Sequence, residues 1–282
     1  MKKNIIPVSV VIPCYCCYDT ISKAVDSVIS QTVLPCELIL IDDGSEDNGK
    51  TKSAIERIRD SNVVIFEQIN FNLLFLEKNS GPSGARNAGW DCAGGDYIAF
   101  LDADDSWHPE KLRIQYDYMK SNPEVALSGH KSIYSKSRSH LHPIIDSFNI
   151  RVVSKFSMFI SNRLPTRSVM LKREISYRFL FGKRNAEDYL LWLLIILNNH
   201  LVSYIDLELA YSYKRDYGDG GLTNSLYECH RGVVDTFRKI LEAKKISYPV
   251  FLVLLLLSYF KYFNRLFIFY FLKIKDFFSI RT

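Results

Sequence analysis

The chain has 282 residues, 48% of them hydrophobic and 24% charged, with a formal net charge of +5. That length supports one large domain, or one and a half, with ample core, and removes the need for a disulfide scaffold. The mild basic excess suits acidic partners such as nucleotides or anionic lipid and is too small to argue for nucleic acid. Cys14, Cys16, Cys17, Cys36, Cys92 and Cys229 form no pair of Cys-x-x-Cys motifs. A zinc site is therefore not expected, and the thiols read as reduced.

Met1-Lys2-Lys3 precedes an apolar run over residues 5–14, a superficial likeness to a secretory signal. Pro7 and Pro13 interrupt that run and no small-residue cleavage site follows, so a buried first strand and a cytoplasmic protein are expected. Residues 8–12, β-branched except for Ser9, have the pattern of a strand covered on both faces. Asp19 and Thr20 are N-cap candidates for a helix whose Ile21, Ala24, Val25, Val28 and Ile29 share one face. Residues 38–41 read as the second strand, 50–59 as a helix, 63–66 as the third strand and 72–77 as a further short strand. A helix over 83–93 and a strand over 97–101 follow, and another helix is expected after Pro109. Residues 125–128 and 168–172 read as strands and 187–198 as a strong helix.

Strands separated by helical crossovers predict an α/β fold with a mostly parallel central sheet and right-handed connections. Ligands of such sheets bind at the carboxyl ends of the strands. Residues 13–15, 42–45 and 102–105 all fall at such ends, so three polar or turn-forming clusters converge on one edge. Asp102, Asp104 and Asp105 crowd three carboxylates into four positions, and like charges this close repel unless a cation neutralises them. Oxygen-only, carboxylate-rich sites suit Mg²⁺ or Mn²⁺ bridging to substrate phosphates.

The ordered set is Ser9-Val-Val-Ile-Pro-Cys-Tyr15, Ile41-Asp-Asp-Gly-Ser45, Gly81-Pro-Ser-Gly-Ala-Arg-Asn-Ala-Gly89 and Tyr97-Ile-Ala-Phe-Leu-Asp-Ala-Asp-Asp-Ser-Trp107. It resembles the family 2 glycosyltransferases of bacterial surface-polysaccharide synthesis, which have the GT-A fold. The resemblance is dense over residues 7–125 and thinner to about 215, through Glu187-Asp188. It implies an inverting, metal-dependent transfer from a nucleotide sugar, as a UDP-sugar, to a lipid-linked saccharide of O-antigen or capsule, with Mn²⁺ or Mg²⁺ as cofactor.

Pro13 and Tyr15 end the first strand where a base can lie against backbone and ring. Asp43 can accept the N3–H of a uracil, and the resemblance makes it the base reader, while Asp42 also fits a helix-capping turn. Gly81, Gly84 and Gly89 allow close backbone approach, and Arg86 matches the family's arginine near the nucleotide; it suits base or diphosphate, or a salt bridge to a neighbouring aspartate. Asp102-Ala-Asp104 resembles the DxD motif, with Asp104 assigned to metal, Asp102 to ribose and metal, and Asp105 a further metal candidate. Asp188 resembles the general base of inverting members, with Glu187 beside it toward the acceptor. Trp192, one turn on, fits either the acceptor pocket or the core. Tyr213-Lys214-Arg215 and residues 218–223 resemble the segment that closes over the donor diphosphate, but this chain has no His between His200 and His230 where many members carry one.

The chain divides into a glycosyltransferase domain over 1–225 and a C-terminal helical segment over 226–282. After Pro249, two apolar runs (250–260 and 266–272) are separated by Lys261 and Arg265 and followed by Lys273 and Lys275. A span needs about 20 apolar residues and each run is about half that. Interleaved aromatic and basic residues suit the surface of an anionic membrane, which places the protein peripherally on the inner face of the cell membrane; the alternative is a helix pair packed as core or in an oligomer. Two other classes remain open. A nucleotidyltransferase would normally carry a Gly-rich loop with Lys or Arg near the first strand, and residues 14–20 hold none of these. A non-catalytic homologue would bind nucleotide without metal-dependent turnover.

Overall fold

A computed structural model describes residues 3–135, 148–213 and 226–279, with side chains described through residue 269. In chain order the elements are β1 (Ile5–Cys14), α1 (Ile21–Ile29), β2 (Leu34–Asp42), α2 (Lys50–Ser61), α3 (Val63–Phe66), β3 (Asn70–Phe75), α4 (Gly81–Cys92), β4 (Tyr97–Phe100), β5 (Asp105–Trp107), α5 (Lys111–Ser121), β6 (Val125–Tyr134), β7 (Ile150–Val152), α6 (Lys155–Ile160), β8 (Met170–Lys172), α7 (Glu187–Leu197), β9 (Leu201–Ser212), α8 (Leu226–Glu242) and α9 (Tyr248–Ser279). The strands lie in one sheet in the order β3-β2-β1-β4-β8-β6-β9-β5, with β7 paired to β9. The four strands β3-β2-β1-β4 are parallel, as the alternating pattern predicts. β8 joins them antiparallel to β4 and β6, and β6 and β9 then run parallel.

All five residues of the expected α1 stripe are buried. Thr20 occupies the N-cap, but its hydroxyl donates back to the Cys17 carbonyl at 3.3 Å instead of accepting from the helix. The run 63–66 is a correction: it forms the short helix α3, not a strand. Its β-branched Val63 and Val64 are exposed, and Ile65 and Phe66 N–H close on the Asn62 carbonyl at 3.0 Å. The edge place beside β2 belongs to β3, where the Asn72 amide bonds Glu37 Oε1 at 2.8 Å.

Helix α4 reaches the sheet through Gly89. A Cβ there would fall 2.5 Å from Val11 Cγ1 and 2.7 Å from Ile41 Cδ1, so only glycine lets the helix lie this close, and Arg86 is thereby carried over the strand ends. Trp192 is a second correction. It is fully buried, its indole N–H donates to the Leu164 carbonyl at 2.9 Å and its ring meets Phe179 edge-on. It is core and not a cavity wall.

The C-terminal helices are part of the same body. Phe237, Ile240 and Leu254 are buried in one cluster with Val11, Ile41 and Trp192, and Lys183 ties α8 down through Gly232 O (3.0 Å) and Asp235 Oδ2 (2.7 Å). The tail is one continuous 32-residue helix, not two short apolar runs. Over Tyr248–Phe269 it is long and apolar enough, by length and composition, to cross a membrane. Lys261 and Arg265 do not break it, because an α-helix tolerates both and they fall on a single face.

Lys111, at the start of α5, is fully buried; among the described residues its ammonium has no hydrogen-bond partner, and the Trp107 ring lies 3.8 Å away. Burial pushes its pKa well below that of an ordinary lysine, and a ring face compensates a buried charge only in part. Between the depressed native pKa and the unfolded value near 10.5, the unfolded chain binds a proton the folded chain does not, so this group makes stability rise with pH. Lys111→Met is expected to raise Tm by at least ~2–4 °C, the shift that about 1 kcal/mol produces at this size, and to flatten the gain between pH 7 and 9.5. Thermal melts of both proteins at the two pH values check this; an equal or lower Tm in the variant contradicts it.

Candidate active site

The carboxyl ends of β1, β2 and β4 open into a cavity of about 1060 Å³. Pro13, Tyr15, Asp43, Arg86, Asp102, Asp104, Asp105 and Asp188 all line it, so residues spread over 176 positions of sequence meet at the edge where a parallel sheet binds ligands. A second cavity of about 420 Å³ adjoins the first. Arg86, Asp102, Asn162 and Asp188 face both. Glu187 borders only the second.

The nucleotide end is built from two cross-linked turns. Asp42 Oδ1 accepts the Ser45 N–H at 3.1 Å, and the Ser45 hydroxyl accepts the Cys16 N–H at 2.9 Å, which locks the end of β1 to the end of β2. Asp42 thus serves the turn. Asp43 is buried, and its Oδ1 takes both the N–H and the hydroxyl of Ser80, at 2.7 and 2.6 Å. Gly44 makes this possible: its φ of +65° suits glycine, and a Cβ would strike the backbone of Lys78 and Asn79 at 2.9 Å. Asp43 is therefore held rigidly, with Oδ2 as its second acceptor, beside Pro13 and the half-exposed ring of Tyr15.

Arg86 sits at the centre. One guanidinium nitrogen donates to Asp102 Oδ1 at 2.7 Å and another to Glu187 Oε1 at 2.8 Å. The group is buried, packs over the Phe179 ring at 5.4 Å, and leaves Nε without a partner. Burial opposes its charge, but the two carboxylates outweigh burial and hold its pKa above the ordinary arginine value. Burial also raises Glu187, with Arg86 pulling the other way; at 2.8 Å the ionised pair is the state the contact stabilises. The salt-bridge alternative for Arg86 is thus what the structure shows, and Glu187 is its anchor.

The acidic cluster is divided. Asp105 is buried against Arg167 at 3.2 Å, and burial, with Asp102 and Asp104 adding to it, pushes its carboxyl up to about 7 despite that arginine. Asp102 also meets an arginine, but 27% of its side chain is exposed against 4% for Asp105, so Asp105 is the poorer metal candidate. Asp102 and Asp104 remain on the cavity wall. Among the described residues no group of three His, Cys, Asp or Glu is placed to hold a metal by itself. Two carboxylates supplemented by phosphate oxygens and water are the usual donor set of Mg²⁺ or Mn²⁺, so the residues present fit such an ion together with a diphosphate.

Asp188 lies at the start of α7, behind Ala186 in the left-handed region (φ 54°). Its Oδ2 accepts from the Asn162 amide at 2.9 Å and the Thr166 hydroxyl at 3.4 Å, and its Oδ1 from the Tyr189 N–H at 2.6 Å. Burial raises its pKa, and Arg86, the Tyr189 N–H and Asn162 oppose the rise. A carboxylate lifted in this way is a stronger base. Sequence reasoning missed Asn162, Arg167 and Arg184, because the chain around them has no periodic pattern or motif and only the fold carries them to the site. The segment from Lys214 through residue 223 lies outside the described residues.

A family model for glycosyl transferase family 2 matches residues 9–182. A UDP-Glc:alpha-D-GlcNAc-diphosphoundecaprenol beta-1,3-glucosyltransferase of Escherichia coli, WfgD, is 32% identical over 195 residues, 69% of this chain and 71% of that protein. The amylovoran biosynthesis glycosyltransferase AmsB of Erwinia amylovora is 39% identical over 189 residues, 64% and 61% of the two chains. Among solved structures, S. aureus TarS residues 1–349 in complex with UDP-GlcNAc superposes with a TM-score of 0.64 at 21% identity, covering 84% of this chain and 69% of that one. A mannosyltransferase from Pyrobaculum calidifontis in complex with GDP-Man and Mn²⁺ gives 0.63 at 16% identity over 84% and 64%. These structures share the GT-A fold seen here. With its model matched over more than half of the residues and relatives aligned across two thirds of the sequence, the chain belongs to glycosyl transferase family 2.

Proposed function

We propose that the chain transfers a sugar from a UDP-sugar to a hydroxyl of a lipid-linked saccharide, with inversion at the anomeric carbon. The observation that carries this reading is the position of Asp188, a buried carboxylate at the junction of two cavities. The larger cavity has the nucleotide-reading groups, and the smaller offers room for an acceptor. Asp43 accepts the uracil N3–H, Pro13 and Tyr15 flank the base, and Asp102 faces the ribose. A divalent ion on Asp102 and Asp104, when bound, screens the negative charge of the diphosphate. Asp188 removes the proton of the acceptor hydroxyl as its oxygen bonds to C1 and the bond from C1 to the diphosphate breaks. Asn162 and Thr166 hold that carboxylate in place. Glu187 fixes Arg86 rather than meeting the acceptor. The printed activity of WfgD, from UDP-Glc to a diphosphoundecaprenol-linked sugar, and the UDP-GlcNAc complex of TarS support the donor and acceptor classes.

We further propose that α9 lies along the inner membrane surface. Leu254 and Ser258 are buried on the docked side of the helix, and with Lys261, Tyr262 and Arg265 they line the second cavity. Val253, Leu256, Phe260, Phe263 and Phe267 form the opposite side and are 55–72% exposed. One flank of the helix meets the catalytic domain and the rest is bare and largely apolar, an arrangement that fits the membrane interface. The lipid anchor of the acceptor would then enter beside the site.

A screen of nucleotide sugars for slow hydrolysis with Mn²⁺ tests the donor. UDP-sugar turnover that EDTA abolishes is expected, with UDP bound at least tenfold tighter than CDP, since an unmatched buried acceptor costs about 1–3 kcal/mol. That preference shrinks in Asp43→Ala. Equal calorimetric affinities for UDP, CDP and GDP contradict the assignment.

Asp188→Asn keeps size and hydrogen bonding but cannot take a proton. It should lower kcat by about 10²-fold or more with donor affinity nearly unchanged. The raised pKa places the acid limb of kcat/KM above the ordinary aspartate value. Asn162 donates to the ionised form, so Asn162→Ala should move that limb to higher pH. Collapse of UDP affinity with kcat intact in Asp188→Asn, or a limb moving to lower pH in Asn162→Ala, excludes Asp188 as the base.

A further inference from the structure

Asp43 meets one atom of the base edge, the N3–H, and the wall beside it holds a second polar group, Arg184. The backbone that presents Arg184 is fixed on both sides. The Ser83 hydroxyl donates to the Lys183 carbonyl at 2.7 Å, and the Lys183 ammonium is bound to Asp235 at 2.7 Å. From there the exposed side chain of Arg184 crosses the first residue of α4. A Cβ on Gly81 would lie 3.7 Å from its Nε and 3.8 Å from its Cγ. One terminal nitrogen of the guanidinium donates to Asn79 Oδ1 at 3.1 Å, and the same oxygen accepts the Gly81 N–H at 3.1 Å. Ser80, between Asn79 and Gly81, is the residue whose N–H and hydroxyl hold Asp43 Oδ1. The guanidinium is therefore tied to the neighbour of the residue that anchors Asp43. Asp43, Tyr15 and Arg184 all line the larger cavity. Desolvation raises the pKa of the Tyr15 hydroxyl, and the charge of Arg184 opposes that rise, so the two side chains are neighbours there. Among the described residues Arg184 is in no ion pair, and Asn79 takes one of the several N–H donors of its guanidinium.

One wall of the cavity thus sets an acceptor beside a donor. The edge of a uracil is the complement of that pair, an N3–H flanked by carbonyl oxygens. We infer that Arg184 donates to a uracil carbonyl next to the N3–H that Asp43 accepts, so that the base is read at two atoms. This rests on the reading of a UDP-sugar donor and adds a specificity-determining residue to it. The carboxylates that fit a metal-bound diphosphate, Asp102 and Asp104, stand at the end of β4, whereas Asn79 and Ser80 belong to the loop that holds Asp43. Arg184 is therefore fastened on the base side of the cavity. A bond from a charged donor is stronger than one between neutral groups, so a single such contact carries weight in the choice of base. Arg184 lies beyond residues 9–182, which the family model matches, so the motifs that place Asp43 do not supply this second reader.

The test is calorimetry on the full chain with Mn²⁺, using UDP, its 2-thio and 4-thio analogues on the uracil, and UMP. Sulfur is a weak acceptor, so one of the two thio analogues is expected to bind the wild type at least about fivefold weaker than UDP. Arg184→Met keeps the length of the chain and removes the donors. It should bind UDP about tenfold weaker than the wild type does, and the same thio analogue should then bind as well as UDP. UMP should lose the same factor as UDP. An unchanged Tm reports an intact fold, as expected for an exposed side chain. A thio penalty that persists in Arg184→Met, or a wild type that binds both analogues as tightly as UDP, overturns the inference. A loss seen with UDP and absent with UMP overturns it too, by showing a contact to phosphate. A wild type that binds CDP and GDP as tightly as UDP overturns the donor reading itself, whereas a preference for UDP that survives without any thio penalty overturns the role of Arg184 alone.

Discussion

The site depends on one buried guanidinium. Arg86 rises from α4, reaches Asp102 at the end of β4 and Glu187 at the start of α7, and so joins three elements that are far apart in sequence. A buried charge is tolerable only when paired and hydrogen-bonded, and breaking one such pair typically costs about 3–5 kcal/mol. Glu187 is the residue before Asp188, so the same contact that neutralises Arg86 fixes the carboxylate proposed as base. It also holds Asp102 on the wall of the larger cavity. The walls of the two cavities are thus joined by a single ionic link, and neither can shift without uncovering a buried charge.

Around that link, close packing does the rest. Gly89 lets α4 approach β1 and β2 until side chains nearly touch its backbone, and Gly44 lets the turn after β2 nest against the segment that holds Ser80. Asp43 and Arg86 are consequently presented by rigid elements. The smaller cavity is built differently. It is assembled from the irregular segment around Asn162 and from α8 and α9, and its walls come together only because Phe237, Ile240 and Leu254 are buried in the common core.

Much of this was legible in the sequence wherever a local pattern matched a local structure. The α1 stripe, the parallel strands and the clusters at residues 13–15, 42–45 and 102–105 follow from periodicity and from the carboxyl-end rule, and they meet in one cavity. The run at 63–66 misled because β-branched composition describes a strand only if a neighbour is there to pair, and β3 holds that place. Trp192 was ambiguous because a helix as apolar as α7 is covered all round, so spacing gives no direction to any one side chain. Asp105 resembles its neighbours in sequence, and only the fold turns it to Arg167. The tail was read as two runs because Lys261 and Arg265 interrupt hydropathy, though not the helix. Asn162, Arg167 and Arg184 had no signal, since their places arise from distant pairings.

The most direct test of the central link is a double-mutant cycle on Arg86→Gln and Glu187→Gln, read in the rate of sugar transfer. The account predicts that each single variant is severely impaired and that the double is little worse than the poorer single, a coupling of at least about 1 kcal/mol, within the range for contacting residues. Losses that simply add would contradict it, because they would mean that Arg86 and Glu187 serve the reaction independently.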